Sequence, residues 1–350
     1  MGRVKPSHPR SPATPLGLDP LLVGTLYGAA SAVLYSGANI CLRGLTQFDP
    51  FLVSCVKAMP TMALAAAWVG YRYWRGRLDR PSWRALGVLA AAGVIAQVGG
   101  NAAFQWSLGA AGLAIAVPLC SGTMIIGAAL MGRFWLGEGV TPRSALAMLV
   151  LIVSIVVLSL GTSRSHAAEI ASTEAAAIAS LVPWGAAAAC FSGVAYAILN
   201  VVIRRVVTGT LPLSVTLLTV STVGFASLGA GSLLHAGWSV IAQTPPVDLA
   251  AMVGAGTINA GAFFLMGRAL QWANLVEVNI VSASQSALAA VAGIAIFREP
   301  VTATLVVGVA LSIAGCVLVD RGRRTVPPQP AAESDRFLPK DRLPPMKRRR

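Results

Sequence analysis

Tyr35, Asn39 and Arg43 return 161 positions later as Tyr196, Asn200 and Arg204. A spacing of four puts each trio on one face of a helix. Both trios sit in apolar stretches, GTLYGAASAVLYSGANICLR from Gly24 and GAAAACFSGVAYAILNVVIR from Gly185. A phenol and a carboxamide there can hydrogen-bond a polar solute or tie two helices together. Further polar groups follow the same logic. Gln97, Asn101 and Gln105 stand at i, i+4 and i+8, Asn259 falls opposite Gln97 when the two halves are aligned, and a late stretch holds Asn274, Glu277, Asn279, Ser282, Ser284, Gln285 and Ser286. Hydrocarbon offers an exposed amide or charge no partner, so such stripes must face one another or a hydrated cavity. Tyr35, Asn39, Gln97, Asn101, Tyr196, Asn200, Asn259, Glu277, Asn279 and Gln285 are therefore the substrate-binding candidates. For the tyrosines and amides, cavity lining and interhelical bonding both stay open. Glu277 is the one acid inside an apolar stretch. It is either hydrated near an interface, or it faces a cavity where it can bind an amino group or carry a coupling proton.

No Asp or His lies deep in an apolar stretch, and neither an HExxH nor a Walker A pattern occurs. No catalytic residue, metal site or cofactor is expected, nor is pumping driven by ATP on this polypeptide alone. Cys41, Cys55, Cys120, Cys190 and Cys316 lie in apolar segments without CxxC spacing, which reads as packing. Lys57 is also inside an apolar stretch, and its counterpart near Leu218 is apolar. A lysine two turns from a helix end can snorkel outward, here toward Asp49 on the same face.

The elements that carry these residues are membrane spans. The chain is 55% hydrophobic and 11% charged, with 35 glycines in 350 residues and a mean hydropathy of +0.71. A soluble protein of this length needs more polar surface. Ten apolar runs are expected near residues 20–43, 50–71, 85–107, 111–132, 142–160, 183–203, 212–234, 248–270, 274–296 and 301–319. Runs of about 20 residues suit a hydrocarbon core of roughly 30 Å. The net charge of +14 follows topology: with the N-terminus inside, all 27 basic residues except Arg43, Lys57, Arg164 and Arg298 fall on the cytoplasmic side. They form no basic face for nucleic acid. Both termini are thus expected in the cytoplasm.

Five spans per half is an odd number, so the second half enters the membrane inverted. The expected fold is an all-α polytopic membrane protein of two inverted five-helix repeats. Its parts are a basic arm (1–19), a first repeat (20–161), a linker (162–181), a second repeat (182–320) and a basic tail (321–350). A secondary transporter with a midplane cavity, a small-molecule substrate and the lipid bilayer as its surroundings is the expected function. A non-transporting scaffold or receptor, and a translocator of lipid-like amphiphiles, are the alternatives. Nothing in the loops calls for an obligate protein partner.

The repeat ends also match. LGEGVTPRSALAMLVLIVSIVVLSL from Leu136 is echoed by FREPVTATLVVGVALSIAGCVLVD from Phe297, pairing Glu138, Val140 and Thr141 with Glu299, Val301 and Thr302. In this the chain resembles the EamA family of the drug/metabolite transporter superfamily over about residues 20 to 320. The resemblance implies a ten-helix carrier of the cell membrane whose cavity is lined mainly by helices 1, 3, 4, 6, 8 and 9, exporting amino acids or other small metabolites. It implies structural roles for Glu138 and Glu299, which as carboxylates before a helix cap its free N–H groups. It also implies an anchoring role for Lys57, at the place where the family often carries a basic residue. Arg43 and Arg204, which close the duplicated stripes, belong with these structural charges.

Overall fold

The computed structural model describes residues 20–318 apart from 79–80, 138–140, 170–172, 210, 274, 283 and 298–302. The terminal segments 1–19 and 319–350, and with them Glu138 and Glu299, lie outside the described residues.

The described chain is helical throughout, without strands. Its helices are α1 (Pro20–Arg43), α2 (Pro50–Trp74), α3 (Trp83–Val94), a π-helical turn (Ile95–Ala102), α4 (Ala103–Ala111), α5 (Leu113–Trp135) and α6 (Pro142–Glu169). There follow α7 (Thr173–Gly209), α8 (Leu213–His235), α9 (Gly237–Gln243), α10 (Pro246–Trp272), α11 (Leu275–Ser282), α12 (Gln285–Phe297) and α13 (Ala303–Val317). Among the described residues seven stretches are long and apolar enough to cross a membrane: α1, α2, α3 through α4, α5, α7, α8 and α10. In hydrocarbon only a structure that satisfies its own backbone is stable, and a helix does so.

Local chemistry sets the helix ends. Pro50 and Pro246 occupy first-turn positions, where no N–H is needed. The Asp49 carboxylate accepts the Leu52 N–H at 2.9 Å and caps α2. Gly112, with φ of 78°, makes the sharp turn between α4 and α5 that a residue with a side chain would resist. The outward faces are apolar, and exposed aromatics gather at the helix ends. Tyr73, Trp74, Trp83, Phe134 and Trp135 are at one end of the bundle, with Trp106, Trp184 and Trp238 toward the other. Two such belts are what a membrane's two interfaces select.

Two of the expected spans are not regular. The third is α-helical only up to Val94 and from Ala103 on, with the π turn between, and such turns recur at functional sites. The ninth is split into α11 and α12, where both the hydroxyl and the N–H of Ser284 take the Val281 carbonyl, at 2.7 and 3.1 Å. A serine bonding locally in this way competes with the helix ladder.

The core forms where helices of the two halves meet. α1 packs on α10, and the π turn with α4 packs on α7. These two seams repeat each other in detail. The Ser31 hydroxyl donates to the Ala262 carbonyl at 2.8 Å, and the Ser192 hydroxyl to the Gly100 carbonyl at 2.9 Å. A Cβ on Gly24 would come within 2.6 Å of the Ala273 Cβ, and one on Gly185 within 2.9 Å of the Ala111 Cβ. α2 pairs with α8, and α6 with α13.

Candidate functional site

The seams enclose a cavity of about 130 Å³. A cavity needs roughly 10–15 Å³ of such space to admit one water, so this one has room for several. The duplicated residues meet here. Tyr35 and Asn39 of α1, Gln97 and Asn101 of the π turn, Tyr196 and Asn200 of α7, Asn259 of α10 and Gln285 of α12 all line it. Of the ten substrate-binding candidates, eight are thus brought together.

The other two are not placed in the wall. Glu277 is 5% exposed in the first turn of α11 and is not among the described lining residues. Asn279 lies on α11, but its side chain is outside the described ones. Gln105 continues the stripe in sequence yet turns away, donating to the Leu42 carbonyl at 3.2 Å.

One departure from expectation concerns Lys57. It does not snorkel toward Asp49. Its ammonium lines the cavity and donates to Asn101 Oδ1 at 2.6 Å, with the residue only 4% exposed. Packing accounts for the inward turn. Residues Leu52 to Ala58 of α2 are all buried, and Gly256 lets α10 close on the Lys57 backbone, since a Cβ there would lie 2.6 Å from its carbonyl oxygen. Asp49 is already engaged, capping α2 and meeting His235 Nδ1 at 2.7 Å.

A directed chain of hydrogen bonds runs from Lys57. Asn101 Oδ1 accepts both from Lys57 and from the Tyr196 hydroxyl, the latter at 2.8 Å. Asn101 Nδ2 donates to Gln97 Oε1 at 2.5 Å, and Gln97 Nε2 donates to the Val220 carbonyl at 3.3 Å. The π turn thus joins α2, α7 and α8 through its two amides. Gly100 makes the approach of Tyr196 feasible, because a Cβ there would sit 2.8 Å from the ring. Charge-assisted bonds of this kind are shorter and stronger than neutral ones.

The rest of the wall is mixed. Thr61, Ser121, Ser221 and Ser282 add hydroxyls, and Val117, Met124, Leu199, Phe263 and Met266 add apolar surface. Of these, only Ser282 stood in a polar stripe legible in the sequence. Single hydroxyls and core apolar residues give no periodic signal, whereas Lys57 was marked by its charge and misjudged only in direction.

The structural arginines also separate. Arg204 is buried and donates to the Leu270 carbonyl in the last turn of α10, where free carbonyls favour a cation. Arg43 ends α1, and its own carbonyl accepts from Thr46 at 3.2 Å. Neither lines the cavity among the described residues.

The family model described as "EamA-like transporter family" matches residues 183–320. No curated protein matches the sequence. Among solved structures, one described only as the crystal structure of a protein superposes with a TM-score of 0.61 at 19% identity, covering 84% of this chain and 97% of that one. At that identity the likeness is one of fold.

Proposed function

Residues 183–320 belong to the EamA-like transporter family, and from that premise we propose that the chain is a secondary-active transporter of small metabolites working by alternating access. The observation that carries this reading is the cavity, walled by duplicated polar side chains from both halves of an otherwise apolar helical body. A cavity walled by amides, hydroxyls and an ammonium suits a small polar metabolite better than a lipid-like amphiphile.

The finer architecture belongs to the same proposal. Ten spans arise when α6, α11 with α12, and α13 join the seven, as two inverted repeats over 20–161 and 182–320 with 162–181 as the linker. The matched seams support the inversion. Ser31 and Ser192 differ by 161 positions and their acceptors Gly100 and Ala262 by 162, so the two bonds exchange under a pseudo-two-fold, the relation an inverted repeat has. Both termini lie in the cytoplasm and the protein sits in the cell membrane, as the distribution of basic residues favours. Export is the favoured direction. A coupling proton, where one drives the cycle, would have Glu277 as its carrier, since it is the buried acid beside the break in the ninth span.

The test compares solutes inside and outside cells expressing the wild type or an Asn39→Leu, Asn200→Leu double variant at equal membrane level. Metabolites that accumulate outside with the wild type alone are the expected result. A wild type that moves nothing across a broad panel, or a variant that exports equally, overturns the reading.

A further inference from the structure

We propose that the transported solute is a small organic anion whose carboxylate, or an equivalent anionic group, is bound by Lys57. The inference rests on the transporter reading above and names the substrate class of that cavity. Four observations carry it.

Lys57 is a charged group in the cavity wall with its residue 96% buried, and its hydrogen bond goes to a neutral amide oxygen. Among the described residues no carboxylate lines the cavity, and none pairs with Lys57. The cavity thus carries an uncompensated positive charge, and a buried charge is stable only when it is paired and hydrogen-bonded. Asn101 cannot supply the pairing.

Lys57 also has donor capacity to spare. An ammonium has three N–H donors, and Asn101 takes one. Asn101 in turn is saturated on its oxygen by Lys57 and Tyr196, which leaves the carboxamide oriented and holds the ammonium in the cavity wall. An incoming carboxylate finds a pre-organised donor and displaces water.

Acceptors and apolar surface divide the remainder of the wall. Asn39, Asn259 and Gln285 can meet further polar groups of the solute, and Phe263, Met124 and Met266 can cover a short apolar or aromatic body. A solute carrying only positive charge is disfavoured, because Lys57 repels it and the described wall holds no acid to receive it.

The experiment uses the purified full chain in detergent and three nearly isosteric probes: phenylacetate, phenylacetamide and phenethylamine. Binding is read as ligand-dependent thermal stabilisation, and transport as uptake into proteoliposomes. Stabilisation by phenylacetate alone is expected, with apparent affinity about tenfold or more weaker in Lys57→Met and largely retained in Lys57→Arg. Asn101→Asp provides a second variant that keeps the ammonium but places a carboxylate beside it. It should fold and lose anion binding. Equal or better binding of the amide or amine overturns the anion assignment while leaving the transporter reading intact. Anion binding that survives both Lys57→Met and Asn101→Asp overturns the role of Lys57. If no probe binds or moves, and cells expressing the wild type export nothing, both readings fall together.

Discussion

Gly24 and Gly185 are the most informative pair to perturb, because they pinch the two halves together at opposite ends of the cavity. At Gly24, at the foot of α1, an added Cβ would stand 2.6 Å from the Ala273 Cβ and 3.0 Å from the Ala273 nitrogen. At Gly185, at the other end, it would stand 2.9 Å from the Cβ atoms of Ala110 and Ala111. Carbon atoms pack at about 3.5–4.0 Å, so each substitution forces its seam apart locally by roughly an ångström. Such overpacking costs about 1–3 kcal/mol. In an alternating-access carrier the cost is relieved in the state that is already open at that end, which shifts the equilibrium about 5- to 150-fold. Gly24→Ala should favour opening on the Gly24 side, and Gly185→Ala opening on the other. Cys120 lines the cavity and serves as the reporter once Cys41, Cys55, Cys190 and Cys316 are replaced. Its labelling by a membrane-impermeant maleimide, in right-side-out and inside-out vesicles, should rise from one face with Gly24→Ala and from the opposite face with Gly185→Ala. Each variant should be protected from the other side. If both variants raise labelling from the same face, or raise it equally from both, the reasoning from an inverted, rocking pair of repeats is refuted.

Three further outcomes test the packing and the hydrogen-bond chain. Gly193→Ala would drive a Cβ into Thr123 Oγ1 and the Cys120 carbonyl oxygen, the latter backbone that cannot yield. It should lower the thermal midpoint by several degrees or prevent folding. Gly254→Ala has nothing within 4 Å and should be neutral or slightly stabilising, by up to about 1 kcal/mol of helix propensity. Tyr196→Phe removes one of the two donors to Asn101 Oδ1 and keeps the ring over Gly100. The expected stability loss is about 0.6–1.7 kcal/mol, measured by thermal unfolding, with the fold retained. A collapse of the fold would contradict the hydrogen-bond chain as described.

Much of the site could be read without coordinates, and the reason is the solvent. In hydrocarbon an amide has few places to go, and Tyr35, Asn39, Tyr196, Asn200, Gln97, Asn101, Asn259 and Gln285 line one cavity, whereas Gln105 of the same stripe bonds the Leu42 carbonyl instead. What stayed hidden depended on single close approaches rather than on periodicity. No pattern distinguishes the π turn at Ile95–Ala102 from continuing α-helix, and it falls where Phe191 and Tyr196 of α7 come close to Gly99 and Gly100. The split of the ninth span likewise turns on where the Ser284 hydroxyl finds its acceptor.

Lys57 shows most clearly how such choices combine. Both outward snorkelling and inward burial are open to a lysine two turns inside a membrane helix. Outward, Asp49 was the natural counter-ion, but its carboxylate already holds the Leu52 N–H and His235. Inward, Gly256 fixes the α2 backbone against α10, and the π turn presents Asn101 with its oxygen turned to the ammonium. Each of these is a contact between segments far apart in sequence. The inward turn therefore costs desolvation that one amide only partly offsets. A chain that accepts such a cost in the wall of its central cavity has placed a cation where an anion can reach it.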